Sequence, residues 1–227
     1  MQSLETELEN ARALDTDDLA DAIETIGFEC TRCGACCKAE ADDAHTATVF
    51  PDEVRDLQAA TEYDWRDVAR PMPYGLDGEG NADADDTTDA EPAGETFEWA
   101  LQTDSCGDCT FYEETDDGTG ACSVHGDRPL ICETYPFSVA LGGTSQPMGE
   151  AVDEEGVVRA HECEGLGRDI SREDAEDLAA ALKERAVREL REAIAVRDEY
   201  APAEPDDGVV VHDSEGAKRP DGSAYEG

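Results

Sequence analysis

The chain has 227 residues, of which 58 are Asp or Glu and 17 are Lys or Arg, for a formal charge of −41. A surface of that sign repels nucleic-acid phosphates and anionic lipid, so neither nucleic acid nor membrane is expected as a direct partner. The length suits one domain, or two, with a modest core.

Carboxylates run through every segment, while the lysines are only Lys38, Lys183 and Lys218. At molar salt the Debye length falls to roughly 3 Å, which screens the self-repulsion such a surface creates. The composition therefore predicts adaptation to very high salt, of the kind found in a halophilic archaeon. A disordered acidic protein would share the charge balance, but the cysteine motif and the periodic apolar segments argue for a folded chain. The first residues, Met-Gln-Ser-Leu-Glu-Thr-Glu, carry no basic region followed by an apolar one. No apolar run approaches the ~20 residues of a membrane span. A cytoplasmic location is expected, where thiols stay reduced.

Residues 3–26 read as helix, broken or bent near Asp15, with Leu4, Leu8 and Ala11 and then Leu19, Ile23 and Ile26 along one apolar stripe. Thr16-Asp17-Asp18 can cap a second helix, which Gly27 ends. Residues 46–50 form a strand candidate. Pro51 opens a helix with Val54 and Leu57 on its buried side, and carboxylates in its first turn suit the helix dipole. A short helix around 63–69 carries Trp65 and Val68 and stops at Pro71 and Pro73. Tyr63 and Trp65 are expected in the core or covering a site.

Residues 77–95 are acidic and of low complexity, lacking an apolar anchor, and read as a disordered insertion rather than a calcium loop. Residues 97–103 alternate as a strand. Phe111-Tyr112, a turn-rich stretch at 116–120, and Ala121-Cys122-Ser123-Val124 predict a small hairpin with a cysteine near each end. Pro129 starts a short helix holding Cys132. Residues 137–141 and 156–160 are strand candidates leading to Cys163. Ser171-Arg-Glu-Asp174 is a capping box opening a long helix to about Tyr200. Its stripe of Ala175, Leu178, Leu182, Ala186, Leu190 and Ile194 suits a seam against the N-terminal helices, or a homodimer seam. From 201 to 227, Pro, Gly and Asp predict a disordered tail.

The expected organisation is thus a helical segment at 1–27, a cysteine-rich domain at 28–76 and 96–167, the insertion at 77–95, a C-terminal helix at 168–200 and the tail. The fold class is α+β: a small, irregular, metal-centred domain with short strands between an N-terminal helical segment and a long C-terminal helix.

Nine cysteines are present, and Cys30, Cys33, Cys36 and Cys37 fall within eight residues as Cys-Thr-Arg-Cys-Gly-Ala-Cys-Cys. CxxC spacing brings two sulfurs within reach of one ion, and soft thiolates select zinc, copper(I) or an iron–sulfur cluster. Cys106, Cys109, Cys122, Cys132 and Cys163 are spread along the middle of the chain. An odd count and a reducing compartment both speak against a disulfide framework.

Three linked motifs carry a resemblance: the CxxCGxCC run, a block of the form CxxxxxRPxxCxxYPF from Cys122 to Phe137, and Cys163-Glu-Gly165. In these the chain resembles the YkgJ-type cysteine-cluster family, zinc- or iron-chelating proteins often labelled Fe–S oxidoreductases. The likeness covers roughly residues 28–167. It implies eight metal-binding cysteines, Cys30, Cys33, Cys36, Cys37, Cys109, Cys122, Cys132 and Cys163. It further implies an iron–sulfur cluster, of the 4Fe–4S kind, or zinc, in a structural or electron-transfer role. The related flagellin lysine methylases carry similar cysteine runs, which makes an Fe–S-dependent methylase-like enzyme an alternative. A zinc-stabilised interaction module is a third.

Adjacent side chains generally point apart, so Cys36 and Cys37 are awkward as ligands of one tetrahedral ion. Eight thiolates complete two four-coordinate sites with one of the pair in each. Alternatively Cys30, Cys33 and Cys36 repeat a ferredoxin CxxCxxC, with a remote fourth ligand closing one cluster. Cys106 is additional to the resemblance, a spare thiol or a redox partner of Cys109. His125 and His161 are candidate imidazole ligands or supporting groups. Arg128 and Pro129 are expected to shape a helix start, with Arg128 facing a carboxylate or sulfur, and Tyr135 and Phe137 to cover the site. Outside the cysteines there is no Gly-rich phosphate loop, no nucleophile elbow and no distinguishable acid–base pair.

Overall fold

A computed structural model describes residues 2–39, 44–76, 92–116, 118–141, 151–153, 156–203 and 208–226. The predicted break near Asp15 separates α1 (Leu4–Ala13) from α2 (Thr16–Ile26), and Asp15 itself is the cap, accepting from the Asp17 N–H at 2.9 Å. Gly27 ends α2 at φ 76°, where a Cβ would stand 2.4 Å from the Arg168 carbonyl oxygen. β1 (Thr48–Val49) is shorter than the 46–50 candidate, and leads into α3 (Pro51–Ala60) and the single turn α4 (Trp65–Val68). The chain then enters β2 (Ala69–Pro71), where the sequence had suggested only a stop.

After β2 come β3 (Gly94–Thr96), β4 (Trp99–Leu101), and the predicted hairpin of β5 (Tyr112–Glu114) and β6 (Gly120–Cys122). α5 (Leu130–Thr134) follows Pro129, then β7 (Phe137–Val139), β8 (Ala151–Asp153) and β9 (Val158–His161). The long helix α6 (Arg172–Glu199) starts at Ser171, whose hydroxyl accepts from the Asp174 N–H at 3.1 Å. The molecule is a small α+β domain with the long C-terminal helix expected of it.

Two apolar clusters organise the chain. In the first, the Ala175, Leu182, Ala186 and Leu190 stripe of α6 meets Leu8 and Ala11 of α1, Leu19 and Ile23 of α2, and the inner faces of β7 and β9. This is the seam against the N-terminal helices that the periodicity predicted. In the second, Val54 and Leu57 of α3, Trp65 and Val68 of α4, and Trp99 and Leu101 of β4 pack with Phe111 and Cys109. The two tryptophan rings meet edge to face, 5.0 Å apart. β4 runs antiparallel between β1 and β2, so its residues are covered on both edges.

Arg185 of α6 is a buried charge that ties the helix to α5. It is 1% exposed, with Nη1 donating to Thr134 Oγ1 at 3.0 Å and Nε to Glu189 at 2.7 Å. Burying a guanidinium is tolerable only with such partners.

The C-terminal expectation is corrected. Instead of a disordered tail, residues 208–226 contain β10 (Val209–Asp213) and β11 (Gly216–Lys218), an antiparallel hairpin. β10 pairs in parallel with β3, which falls inside the stretch read as an insertion. Asp213 Oδ2 accepts the Trp99 indole N–H at 2.8 Å and faces Lys218 at 2.9 Å, all three being buried. The remainder of the predicted insertion, 77–91, lies outside the described residues. Among the described residues no helix is long and apolar enough to cross a membrane.

Candidate metal centre

The cysteine run leaves the Gly27 cap in extended chain and turns tightly, with Arg32 at φ 58° and Gly34 at φ 76° before a short 3₁₀ turn at Ala35–Cys37. Arg32 is held in a left-handed conformation unusual for a residue with a Cβ, a local strain of the kind that surrounding contacts must hold. Gly34 is required for space: a Cβ there would lie 2.3 Å from the Tyr112 hydroxyl. The Sγ atoms of Cys36 and Cys37 stand 3.8 Å apart. The expected divergence of these adjacent side chains does not occur, because the 3₁₀ turn brings them onto neighbouring faces.

Three sets of backbone hydrogen bonds sew the run to distant loops. Glu29 N–H donates to the Gly165 carbonyl at 3.0 Å, beside a bridge between Phe28 and Leu166, which brings in Cys163. Cys109 N–H donates to the Cys37 carbonyl at 2.8 Å. Gly120 N–H donates to the Arg32 carbonyl at 2.8 Å, which anchors the strand ending in Cys122. α5 supplies Cys132; its first N–H, at Leu130, is held by buried Glu53 at 2.9 Å, and the other Glu53 oxygen accepts from Phe50 N–H. Segments far apart in sequence thus reach one region by main-chain pairing and, for α5, through the Glu53 carboxylate.

The remote thiols share a local device. Cys163 Sγ accepts from the N–H two residues on, Gly165, at 3.4 Å. Phe111 and Val124 N–H groups are directed in the same way at Cys109 and Cys122. Such N–H groups stabilise a thiolate and orient its sulfur. Burial acts in the opposite sense. It pushes Cys109 up to about 11 and raises Cys122 and Cys163. Cys132 is raised first by burial and then by charge at Cys109, Cys36 and Cys122. Cys36 is raised first by its contact with Cys37.

These thiols are electrostatic neighbours. Among the described residues, no three His, Cys, Asp or Glu side chains already stand at ion-holding geometry.

The structure separates the other candidates. Cys106 is exposed in a turn held by its own N–H to Asp104 at 2.7 Å. His161 is buried, with Nε2 hydrogen-bonded to Ser138 Oγ at 2.8 Å. His125 is exposed, and the Arg128 charge lowers its pKa. Arg128 donates through Nε to the His125 carbonyl at 3.1 Å, and its charge favours the thiolates of Cys36, Cys122 and Cys132. Tyr135 donates to the Glu162 carbonyl, and burial, followed by charge at Cys163, Cys36 and Cys33, pushes its phenol up to about 12. Phe137 lies in the first apolar cluster, edge-on to Phe28 at 5.7 Å.

Sequence reasoning missed His45. It is 9% exposed, and Nε2 lies 3.1 Å from the Cys36 carbonyl, while its own N–H donates to Gly107 at 2.8 Å. Burial lowers its pKa, which favours the neutral ring. No periodicity or spacing marks such a residue, because its partners are backbone atoms. Also missed were Lys38, Glu114 and Tyr112, which form an ion pair and hydrogen bond beside the run.

No curated protein and no solved structure matches the chain. The family model "CxxCxxCC: Putative zinc- or iron-chelating domain" matches residues 29–164, more than half of the chain and all nine cysteines. The chain belongs to this CxxCxxCC family of zinc- or iron-chelating domains.

Proposed function

We propose that Cys30, Cys33, Cys36, Cys37, Cys109, Cys122, Cys132 and Cys163 hold metal, as an iron–sulfur cluster or as zinc, in a structural or electron-transfer role. The observation that carries this is the convergence of these thiols, from segments distant in sequence, through main-chain bonds around the Cys30–Cys37 turn. An all-thiolate donor set suits both groups: zinc would supply cross-linking alone, and an iron–sulfur cluster would add one-electron chemistry.

The residues around the thiols fit such a group. N–H groups at Phe111, Val124 and Gly165 meet sulfur and favour its deprotonated form. The Arg128 charge offsets accumulated negative charge at three of the thiols. Even with that compensation, burial raises Cys109, Cys122, Cys132 and Cys163, and ligation is what would draw the sulfurs the last distance together. Thiolate ligation of this kind belongs in a reducing cytoplasm. The charge of −41 fits a working medium of molar salt.

Elemental and sulfide analysis of protein purified anaerobically tests the reading. Iron with acid-labile sulfide and broad visible absorption identifies a cluster; zinc in colourless protein identifies the structural ion. Protein that binds neither, after reconstitution with both, would refute it.

A further inference from the structure

We infer that the eight thiols form two four-thiolate sites of unequal exposure: an outer site of Cys30, Cys33, Cys36 and Cys163, and an inner site of Cys37, Cys109, Cys122 and Cys132. The inference rests on the reading that these thiols hold metal, and goes beyond it by assigning each ligand.

The outer set is joined by the pairing of residues 27–29 with 165–167. Glu29 N–H donates to the Gly165 carbonyl at 3.0 Å and Gly167 N–H to the Gly27 carbonyl at 2.9 Å. These bonds set the Cys163 loop beside the start of the run.

The inner set is joined differently. Cys109 N–H bonds the Cys37 carbonyl at 2.8 Å. Cys37, Cys122 and Cys132 pack against the same apolar cluster in which Cys109 is buried at 7% exposure.

The Cys36–Cys37 pair marks the junction. Their 3.8 Å separation is also the sulfur–sulfur edge of a tetrahedron about one ion, about 3.8 Å for Zn–S bonds of about 2.3 Å, so one site could in principle take both. That arrangement leaves three thiols outside and five inside. Placing exposed Cys36 outside and half-buried Cys37 inside closes two four-coordinate shells.

Exposure differs between the two. Cys30 and Cys36 are exposed, whereas Cys109 is buried and its partners lie against apolar side chains. The outer site is therefore the one open to chelators and to an electron-transfer partner. The inner site takes the structural role, because it fixes α5 and the β5–β6 hairpin to the second cluster.

The test uses wild-type holoprotein in EDTA, with metal release followed by a chromogenic indicator. Timed iodoacetamide labelling and peptide mass spectrometry run alongside. Two release phases of equal amplitude are expected. Cys30, Cys33, Cys36 and Cys163 should become alkylated with the fast phase, and Cys37, Cys109, Cys122 and Cys132 with the slow one. Cys163→Ser should halve the metal content, remove the fast phase and leave tryptophan fluorescence unchanged. A single phase labelling all eight together, or labelling that splits the cysteines along other lines, would overturn the partition and leave metal binding intact. Holoprotein with no metal to release would instead refute the metal reading itself.

Discussion

Replacing Gly165 with alanine tests whether backbone pairing, rather than the thiols themselves, brings Cys163 to the cysteine run. The new Cβ would lie 2.3 Å from the Glu29 carbonyl oxygen and 2.9 Å from a ring carbon of Phe28. Ordinary contact begins near 3.4 Å, so the segments must part by about 1 Å. The Glu29 N–H to Gly165 carbonyl bond, now 3.0 Å, cannot survive that shift, and the Gly165 N–H to Cys163 sulfur bond at 3.4 Å has no slack. Each of the two lost bonds costs roughly 1 kcal/mol and the overpacking roughly 1–3 kcal/mol, so the holoprotein should lose about 3–5 kcal/mol. Guanidinium unfolding with metal analysis on the same samples reads both effects. Gly126→Ala is the control, because a Cβ there meets nothing within 4 Å. Gly165→Ala matching Gly126→Ala in both midpoint and metal content would refute the reasoning.

Metal removal should act on one half of the molecule. The first apolar cluster contains no cysteine, whereas Cys109 lies in the second, with Cys37, Cys122 and Cys132 against it. Chelation should therefore change the fluorescence of Trp65 and Trp99, both in the second cluster, while far-ultraviolet helicity from α1, α2 and α6 largely persists; simultaneous loss of both signals would contradict this. Asp213→Ala strips buried Lys218 and the Trp99 indole of their shared carboxylate, and should destabilise the fold by roughly 3 kcal/mol in chemical denaturation. A cost under about 0.5 kcal/mol, the level of an ordinary surface change, would mean the C-terminal hairpin is dispensable. Raising potassium chloride from 0.1 to 1 M shortens the Debye length from about 10 to about 3 Å, and the melting temperature should climb steeply; a flat profile would sink the high-salt reading.

What was legible in the sequence was local. The break at Asp15, the Gly27 stop, the α6 stripe and the β5–β6 hairpin follow from periodicity, capping and turn residues within a few positions. The cysteine run announced soft-metal chemistry for the same reason, because ligand spacing within one turn is written in adjacent residues. The C-terminal hairpin escaped notice because its anchor is three valines amid Pro, Gly and Asp, and its partner is a strand beside an acidic stretch. Strand pairing depends on an edge elsewhere in the chain, and local composition carries no record of that edge.

By itself, then, the sequence determined the kind of donor atom, the thiolate, and the helical frame at either end. Tertiary structure alone decided which thiols become neighbours. It paired residues 27–29 with 165–167, placed Cys109 against the Cys37 carbonyl, and folded the Cys36–Cys37 turn so that two adjacent sulfurs stand 3.8 Å apart. The reason is physical: the chemistry of a ligand belongs to one side chain, but the grouping of ligands belongs to hydrogen bonds between segments distant in sequence.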